Sequence, residues 1–427
     1  MKNNRINVLV FPCGSEIGLE IHRSLKYSNH INLFGANSTD DHGKFVYENY
    51  ISNLPFFSDE DFFEKLKKII QEYKIDAIYP TMDSVIKVVS EYEKELECKV
   101  IGSPKETNKI CSSKLLTYKC LEGFINLPEM YNSPKEVISF PIFMKPDVGY
   151  GSRGAKLVKN HLELQEHLKE YPTSLLLEYL PGKEYTVDCF TNKNGELLYS
   201  RARERARISK GISVKTKPVN DRNIEFEKIA KTINSKLTFR GAWFFQVKED
   251  VRGELCLLEV ASRLAGSSSI FRNTGVNFAL LSIFDKLDYN VKLFDNNFEI
   301  VLDRALSNKY KININFNKAY IDFDDCLILR DSTVNIELLS LIFKFINKGV
   351  RVILITKHER DINNSLTSFR LQGIFDEIIH LSKYDNKYKY MDKNNSIFID
   401  DSFAEREEVY NNLRIPVFAP DAIESLI

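Results

Sequence analysis

PIFMKPDVGYGSRGAKLV, residues 141–158, is the stretch on which the reading of this chain turns. An apolar run ends at Lys145, and a loop with Gly149, Gly151 and Gly154 follows at once. Glycines let backbone N–H groups approach phosphate oxygens closely, and a lysine supplies the countercharge. Alone, such a loop is more often a flexible hairpin than a phosphate clamp, so its neighbours have to decide.

The neighbours carry charge in patterns that need explaining. In YSRARERARIS, Arg201, Arg203, Arg205 and Arg207 recur at period two, so on a strand they share one face about 7 Å apart. Four aligned guanidinium groups repel one another unless anions or carboxylates meet them. Glu259 in ELCLLEVASRLAG ends another apolar strand, with Arg263 four residues on. A carboxylate emerging from a buried strand is a candidate Mg²⁺ ligand, since Mg²⁺ on nucleotide phosphates takes one or two carboxylates.

On both sides of this middle part the texture is different. Residues 6 to about 103 alternate INVLVF, EIGLEIHRSL, INLFGA, DFFEKLKKIIQEY, DAIYPT, SVIKVVSEYEKEL and CKVIG, a strand and helix alternation that predicts a parallel sheet. The PCGSEIG turn after the first strand has two glycines but lacks GxGxxG, and a tight strand-to-helix turn needs glycine in any case. From 104 to about 305, strands such as LLLEYL, YTVDCF and AWFFQVKED, with hairpins such as TNKNGEL, give an α+β pattern. NKYKININFNK is the candidate linker to a last α/β segment, 315–427.

Composition narrows the function classes. The chain has 427 residues, room for two to four domains, and Lys plus Arg equal Asp plus Glu at 59 each. No global field recommends nucleic acid or an anionic membrane as partner. The N-terminus runs straight into a strand and no stretch reaches the roughly 18 apolar residues of a membrane span, so the expected compartment is cytoplasmic. Seven scattered cysteines form no CxxC pair, which argues against disulfides and structural zinc.

Five motifs in order, KP-x2-GxGSRG, LLLEYLPGKEYTVD, RARERARISKGIS, GAWFFQV and LLEVASRLAGSSS, resemble ATP-grasp enzymes, especially the carbamoyl-phosphate-synthase-like branch. The resemblance covers about 104 to 290 and implies an ATP-grasp domain over 104–310, preceded by a Rossmann-like pre-ATP-grasp domain over 1–103. It implies that Lys114 and Lys145 hold ATP phosphates, and that the loop with Gly151 and Ser152 closes over them. Glu178, Tyr179 and Leu180 would read adenine through backbone groups, Glu184 the ribose hydroxyls, and Arg207 the phosphates or transferred group. Gln246 and Glu259 would bind Mg²⁺, and Arg263 would orient the acceptor or acyl phosphate. Ala261 departs from the pattern, because many members have an asparagine there, so a second Mg²⁺ would be held weakly or differently. Such enzymes activate a carboxylate with ATP to an acyl phosphate that an amine attacks.

Near the other end stands AYIDFDDCLI, residues 319–328, with Asp322, Asp324 and Asp325 closing an apolar run. Asp322 and Asp324 are two apart, so both face one pocket, and Asp325 is read as a bystander. Thr356 ends VILIT, Lys387 follows DEIIHL with Lys389 as an alternative, and Asp400 and Asp401 end SIFIDD. All fall at strand carboxyl ends, where parallel α/β sheets bind ligands. The arrangement resembles capless haloacid-dehalogenase-like (HAD) phosphohydrolases. That implies Asp322 as nucleophile, Asp324 as general acid and base, Thr356 and Lys387 as holders of the phosphoryl group, and Asp322, Asp324 and Asp400 around Mg²⁺, with Asp401 in support. Cys326 stands where the family often has threonine.

The expectation is therefore a multidomain α/β and α+β enzyme using ATP and Mg²⁺, a ligase of a small carboxylate and an amine or phosphorylated metabolite joined to a phosphatase. Two other readings keep the fold: an ATP-grasp kinase, and an ATP-binding regulatory protein. The substrates and the oligomeric state are not legible.

Overall fold

The computed structural model describes residues 5–149, 153–209, 211–305 and 308–426, so Gly151 and Ser152 lie outside the described residues. The last four residues of β1 (Ile6–Phe11) are buried, as expected of a parallel strand covered on both faces. Ser15 then caps α1 (Glu16–Leu25) by accepting from the Gly18 N–H at 2.9 Å, satisfying a donor the helix leaves open. The chain continues through β2 (Ile31–Ala36), α2 (Gly43–Val46), β3 (Asn49–Ile51), α3 (Phe62–Glu72), β4 (Ala77–Pro80), α4 (Asp83–Glu91) and β5 (Lys99–Val100). These strands form one parallel sheet in the order β3-β2-β1-β4-β5. Strand order reverses between β1 and β4, so their carboxyl ends flank a crevice. Only α2 and the three-residue edge strand β3 escape the sequence pattern, being too short to show a period.

Helices α5 (Lys105–Cys111) and α6 (Lys114–Leu121) lead into two antiparallel sheets. The smaller contains β6 (Met130–Tyr131), β7 (Ile142–Pro146), β8 (Lys156–Val158) and, after α7 (His161–Glu170), β9 (Ser174–Glu178), ordered β6-β9-β7-β8. The larger starts with β10 (Glu184–Thr191), β11 (Leu197–Ser209) and β12 (Ile212–Pro218), followed by α8 (Asn223–Lys236), β13 (Gly241–Glu249) and β14 (Leu255–Ala261). After α9 (Ser269–Asn273) and α10 (Phe278–Lys286) it closes with β15 (Ile300–Arg304) and β16 (Asn308–Ile312), in the order β14-β13-β10-β11-β12-β15-β16. The expected linker NKYKININFNK is thus corrected: its first five residues are β16, paired antiparallel with β15. β16 ends the sheet, and polar residues at a sheet edge discourage further pairing.

The last segment repeats the first topology. It comprises β17 (Lys318–Ile321), the small hairpin β18 (Ile328–Leu329) and β19 (Thr333–Val334), α11 (Ile336–Asn347), β20 (Arg351–Thr356), α12 (Ile362–Ser368), β21 (Glu377–His380), β22 (Ser396–Ile399), α13 (Phe403–Leu413) and β23 (Val417–Phe418). Its five long-range strands are parallel in the order β21-β20-β17-β22-β23, with the reversal between β17 and β22. Among the described residues no helix is long and apolar enough to cross a membrane.

The three segments share one apolar core, in which Val10, Phe271 and Leu341 are all buried. A buried ionic knot sits in the same seam. Arg272 of α9 is 2% exposed; its Nε donates to Glu20 of α1 at 2.8 Å and its Nη2 to Glu424 at 3.1 Å, while its Nη1 donates to the Asp421 carbonyl. Removing one partner of a buried pair leaves an uncompensated charge and typically costs about 3–5 kcal/mol. Arg272→Met is therefore expected to lower unfolding stability by that amount, read by urea denaturation. A loss below about 1 kcal/mol would show that Glu20 and Glu424 find other partners.

Candidate functional site

The first candidate site lies where the crevice of the N-terminal sheet faces the large antiparallel sheet. Ser15 Oγ and Thr81 Oγ1 meet at 2.8 Å across the β1–β4 reversal. A cavity of about 350 Å³ opens there, bounded by Glu16 and Asp83 on one side and by Arg203, Gln246, Glu259 and Arg263 on the other. Gln246 and Glu259 are direct cross-strand partners on β13 and β14. Their oxygens offer one neutral and one anionic donor, a set that fits Mg²⁺ alongside nucleotide phosphates. Ala261, where an asparagine was looked for, pairs with Phe244 in a small apolar cluster with Ala265 and offers no ligand.

The two lysines are not among the residues that line this cavity, but both feel the charge of Glu259 on its wall. Lys145, on β7, is buried; its Nζ donates to Tyr118 Oη at 3.0 Å and to the Leu258 carbonyl at 2.9 Å. Burial pulls its pKa down to about 8, against the opposing pull of Glu259 and Glu184. Lys114 opens α6, which Asp147 pins to the β7 loop by accepting from Ser113 Oγ and from the Leu115 N–H at 2.8 Å. Burial lowers the Lys114 pKa as well, with Glu259 again opposing. Both ammonium groups are thus held without the hydration they would have in solution, a cost that an anionic ligand offsets.

Glu178, Tyr179 and Leu180 follow one another at the end of β9 and line a second cavity of about 700 Å³ with Tyr118 and Cys256. Glu184 is engaged by Arg205 at 2.7 Å. Arg263 makes a two-pronged pair with Asp83, at 2.7 and 2.9 Å, over the Phe244 ring. Asp83 was not singled out from the sequence; it lies 180 residues from its partner. A carboxylate at the carboxyl end of β4 was the only signal available.

The row of four arginines is met by carboxylates, one for one. Arg201 pairs with Asp295, Arg203 with Asp188, Arg205 with Glu184 and Arg207 with Asp303, at 2.6 to 2.8 Å. They do not all share one row: the register shifts between Arg205 and Arg207, and Arg207 turns to a half-exposed pair outside the cavity. Arg207, expected to meet phosphates or the transferred group, is therefore not among the residues that line this cavity. Arg205, whose Nη1 also donates to Gln246 at 2.6 Å, holds the position nearest the candidate metal ligands.

The second candidate site is the reversal point of the C-terminal sheet. Asp322 follows β17 and Asp400 follows β22, and the buried Lys387 Nζ donates to both, at 2.5 and 2.6 Å. Burial, reinforced by Asp400, pushes the Asp322 carboxyl well above its ordinary value, with Lys387 opposing. Lys387 is held above its ordinary value because the two carboxylates outweigh the effect of burial. Lys389 is exposed and takes no part. Carboxylate oxygens of Asp322, Asp400 and Asp401 lie within 4.8 Å of one another, a spacing that fits a divalent cation. Burial, then Asp400, pushes Asp401 up to about 7. Arg406 Nη1 donates to the carbonyls of Asp400 and Asp401, fixing that turn.

Asp324 was expected among the metal ligands, but its side chain is not in that cluster. It accepts instead from His358 Nδ1 at 2.8 Å, and His358 Nε2 lies 2.8 Å from Ser365 Oγ. His358, two residues past the buried Thr356, is the functional candidate that sequence reasoning missed. Its position in the loop after β20 was the available signal. Asp325 stands apart, at φ 56°, accepting from the Arg330 N–H.

With this geometry in view, comparisons with known proteins bear on the middle of the chain. Residues 170–304 match the family model described as ATP-grasp in the biosynthetic pathway with Ter operon. The D-alanine–D-alanine ligase of Thermotoga maritima is 29% identical over 157 residues, 33% of this chain and 49% of that enzyme. That of Pseudothermotoga lettingae is 28% identical over 145 residues, 31% and 48%. The chain thus spans about half the length of the curated relatives it matches. Among solved structures, N5-carboxyaminoimidazole synthetase from Staphylococcus aureus complexed with ADP aligns at TM-score 0.60 and 15% identity, over 71% of this chain and 84% of that one. The biotin carboxylase domain of Hydrogenobacter thermophilus 2-oxoglutarate carboxylase, in complex with MgADP, ADP and bicarbonate, aligns at 0.59 and 15%, over 70% and 74%. Sequence over 170–304 and fold over some 70% of the length agree on one statement: this chain contains an ATP-grasp fold.

Proposed function

We propose that the chain joins a carboxylate to an amine using ATP, through an acyl phosphate, and that its C-terminal sheet hydrolyses a phosphomonoester on the substrate or product of that ligation. The observation that carries the ligase reading is the pairing of Gln246 with Glu259 on the wall of a cavity that Arg263 also lines. A carboxylate oxygen of the substrate attacks the γ-phosphorus and ADP leaves. The amine nitrogen then attacks the acyl carbon, orthophosphate departs and the nitrogen loses a proton. Lys114 and Lys145 hold phosphate oxygens, Glu178 to Leu180 receive the adenine, and Glu184 receives the ribose. Positioning and cationic clamps suffice for this chemistry, so no protein nucleophile is needed.

In the C-terminal site, Asp322 attacks phosphorus to form an aspartyl phosphate while Asp324 protonates the leaving oxygen; Asp324 then takes a proton from the attacking water. The Lys387 bridge between Asp322 and Asp400, at a strand-order reversal, supports this reading. Gln246 and Glu259 in one site, and Asp322 and Asp400 in the other, would hold Mg²⁺, which would supply charge offset on phosphoryl oxygens. A phosphatase that met the acyl phosphate would only waste ATP, so the two sites act on different phosphates. A stable phosphomonoester on a sugar, sugar acid or amino alcohol suits the second.

The test is an ADP-release screen of carboxylates crossed with amines and phosphorylated sugars, run on Asp322→Asn protein. ADP formed together with an amide is the expected result. ADP with the phosphate retained on the acceptor would make the enzyme a kinase, and no ADP with any pair would leave a nucleotide-binding regulator.

Lys145 adds a pH dependence. Its folded pKa, about 8, lies below its ordinary 10.5, so only the unfolded lysine is protonated in between. Its contribution to stability is largest above 10.5, falls as pH drops through that window and is flat below 8. Phosphate binding needs the charged form, so ATP affinity is expected to weaken about tenfold from pH 7 to pH 9, measured by calorimetry. An affinity that stays level over that range, or the same decline in Lys145→Arg, would sink the assignment.

A further inference from the structure

His358, in the loop after β20, is anchored from every side. Its side chain is 9% exposed and both ring nitrogens are engaged: Nδ1 lies 2.8 Å from Asp324 Oδ1, and Nε2 lies 2.8 Å from Ser365 Oγ. The ring meets Phe323 edge on, with centroids 5.0 Å apart. Along the main chain, the His358 N–H donates to Thr356 Oγ1 at 3.2 Å, and its carbonyl accepts from His380 Nε2 at 2.7 Å. An imidazole fixed at this many points presents Nδ1 to one place, the Asp324 carboxyl.

The donor inventory sets the direction of these bonds. A neutral imidazole donates through one nitrogen and accepts through the other. With the Ser365 hydroxyl donating to Nε2, the Nδ1–H donates to Asp324 Oδ1. The Asp324 side chain is 39% exposed, and its second oxygen, Oδ2, has no hydrogen-bond partner among the described residues. A carboxyl that delivers a proton works best with one oxygen held and the other presented, because a freely turning acid is aligned only part of the time.

Carboxylate, imidazole and hydroxyl in this order also have the connectivity of a nucleophilic triad. A serine nucleophile, however, needs backbone donors beside it for the oxyanion. Ser365 lies inside α12, and its N–H donates to the Asp361 carbonyl at 3.1 Å. Helix bonding thus takes up the donor that such chemistry requires. The chain of bonds serves Asp324, not Ser365.

We propose that His358 is a positioning residue of the C-terminal site: backed by Ser365, it pins Asp324 Oδ1 so that Oδ2 faces the reacting oxygens. As the Asp322–phosphorus bond forms and the ester bond breaks, the Oδ2 proton passes to the leaving oxygen. In the second step Oδ2 takes a proton from the attacking water, and His358 keeps its own proton throughout. The inference rests on the phosphatase reading and deepens it. A pinned acid gives the site its advantage on esters with poor leaving groups, the class to which phosphates of sugars and amino alcohols belong.

The test compares phenyl phosphate with p-nitrophenyl phosphate, on the full chain with Mg²⁺, through kcat/KM, which runs only as far as departure of the leaving group. Phenolate leaves far less readily than p-nitrophenolate, so the phenyl ester depends more on the acid. His358→Ala is expected to lose at least about tenfold more on phenyl phosphate than on p-nitrophenyl phosphate, part of the usual contribution of a general acid. His358→Asn, whose amide can donate from near the place of Nδ1, is expected to recover most of that difference. Ser365→Ala, at a half-buried helix position, is expected to show the same selective loss to a smaller extent, so the question stays open to decision if His358→Ala misfolds. Inhibition by inorganic phosphate should shift by less than about threefold in all three, because Thr356 is held by the main chain of His358. Equal losses on both esters would overturn the inference and leave the phosphatase standing. So would a wild type that cleaves only the p-nitrophenyl ester. A wild type that cleaves neither overturns both.

Discussion

Asp322→Asn is expected to abolish phosphomonoester hydrolysis, with a fall of about a thousandfold or more in kcat for p-nitrophenyl phosphate with Mg²⁺. Removing the atom that bonds to phosphorus has effects of that order, since an amide oxygen cannot form the covalent intermediate. The structure makes the variant a clean one. Lys387 keeps its 2.6 Å bond to Asp400, so the buried ammonium is not orphaned. Asp322 is itself a buried carboxyl pushed up by its surroundings, and neutralising it removes a cost rather than a support. The melting temperature should therefore stay within a few degrees of wild type, and ADP formation by the other site should be untouched. Residual hydrolysis above about a tenth of wild type would dismiss Asp322 as nucleophile, and an equal loss of ADP formation would point to unfolding instead.

Glu259→Ala is expected to reduce ADP formation by about 10²–10³-fold, the scale of losing a preorganised charge partner at a phosphoryl group. Two consequences separate this from general damage. Glu259 opposes the depressed pKa of both Lys145 and Lys114, so without it both ammonium groups lose protons more readily. The pH above which ATP binding weakens should therefore move down in the variant. A merely structural glutamate would leave that limb where it is. Hydrolysis at Asp322 should continue, because the two acidic clusters belong to different sheets.

Much of the architecture was legible because local pattern and burial coincide. β1 and β17 read as apolar runs since both faces are covered, and Lys145, Glu259, Asp322 and Asp400 stand out as charges where such runs stop. Other features depended on geometry that has no local trace. Period two in SRARERAR predicted one shared face, but a register shift takes Arg207 out of it. The DFDD spacing predicted two carboxylates in one pocket, yet Asp324 turns to His358 and Asp401 joins Asp322 instead. NKYKI was polar enough for a linker and is an edge strand.

The sequence by itself determined the kinds of elements, their order and the residue types available to chemistry, because those follow from periodicity and from where charge interrupts apolar runs. Only the tertiary structure decided which charges meet. Asp83 reaches Arg263 across 180 residues, and Arg272 ties Glu20 to Glu424. Such pairings depend on how sheets dock and on strand register, and these are set by the packing of the whole core rather than by any stretch within it.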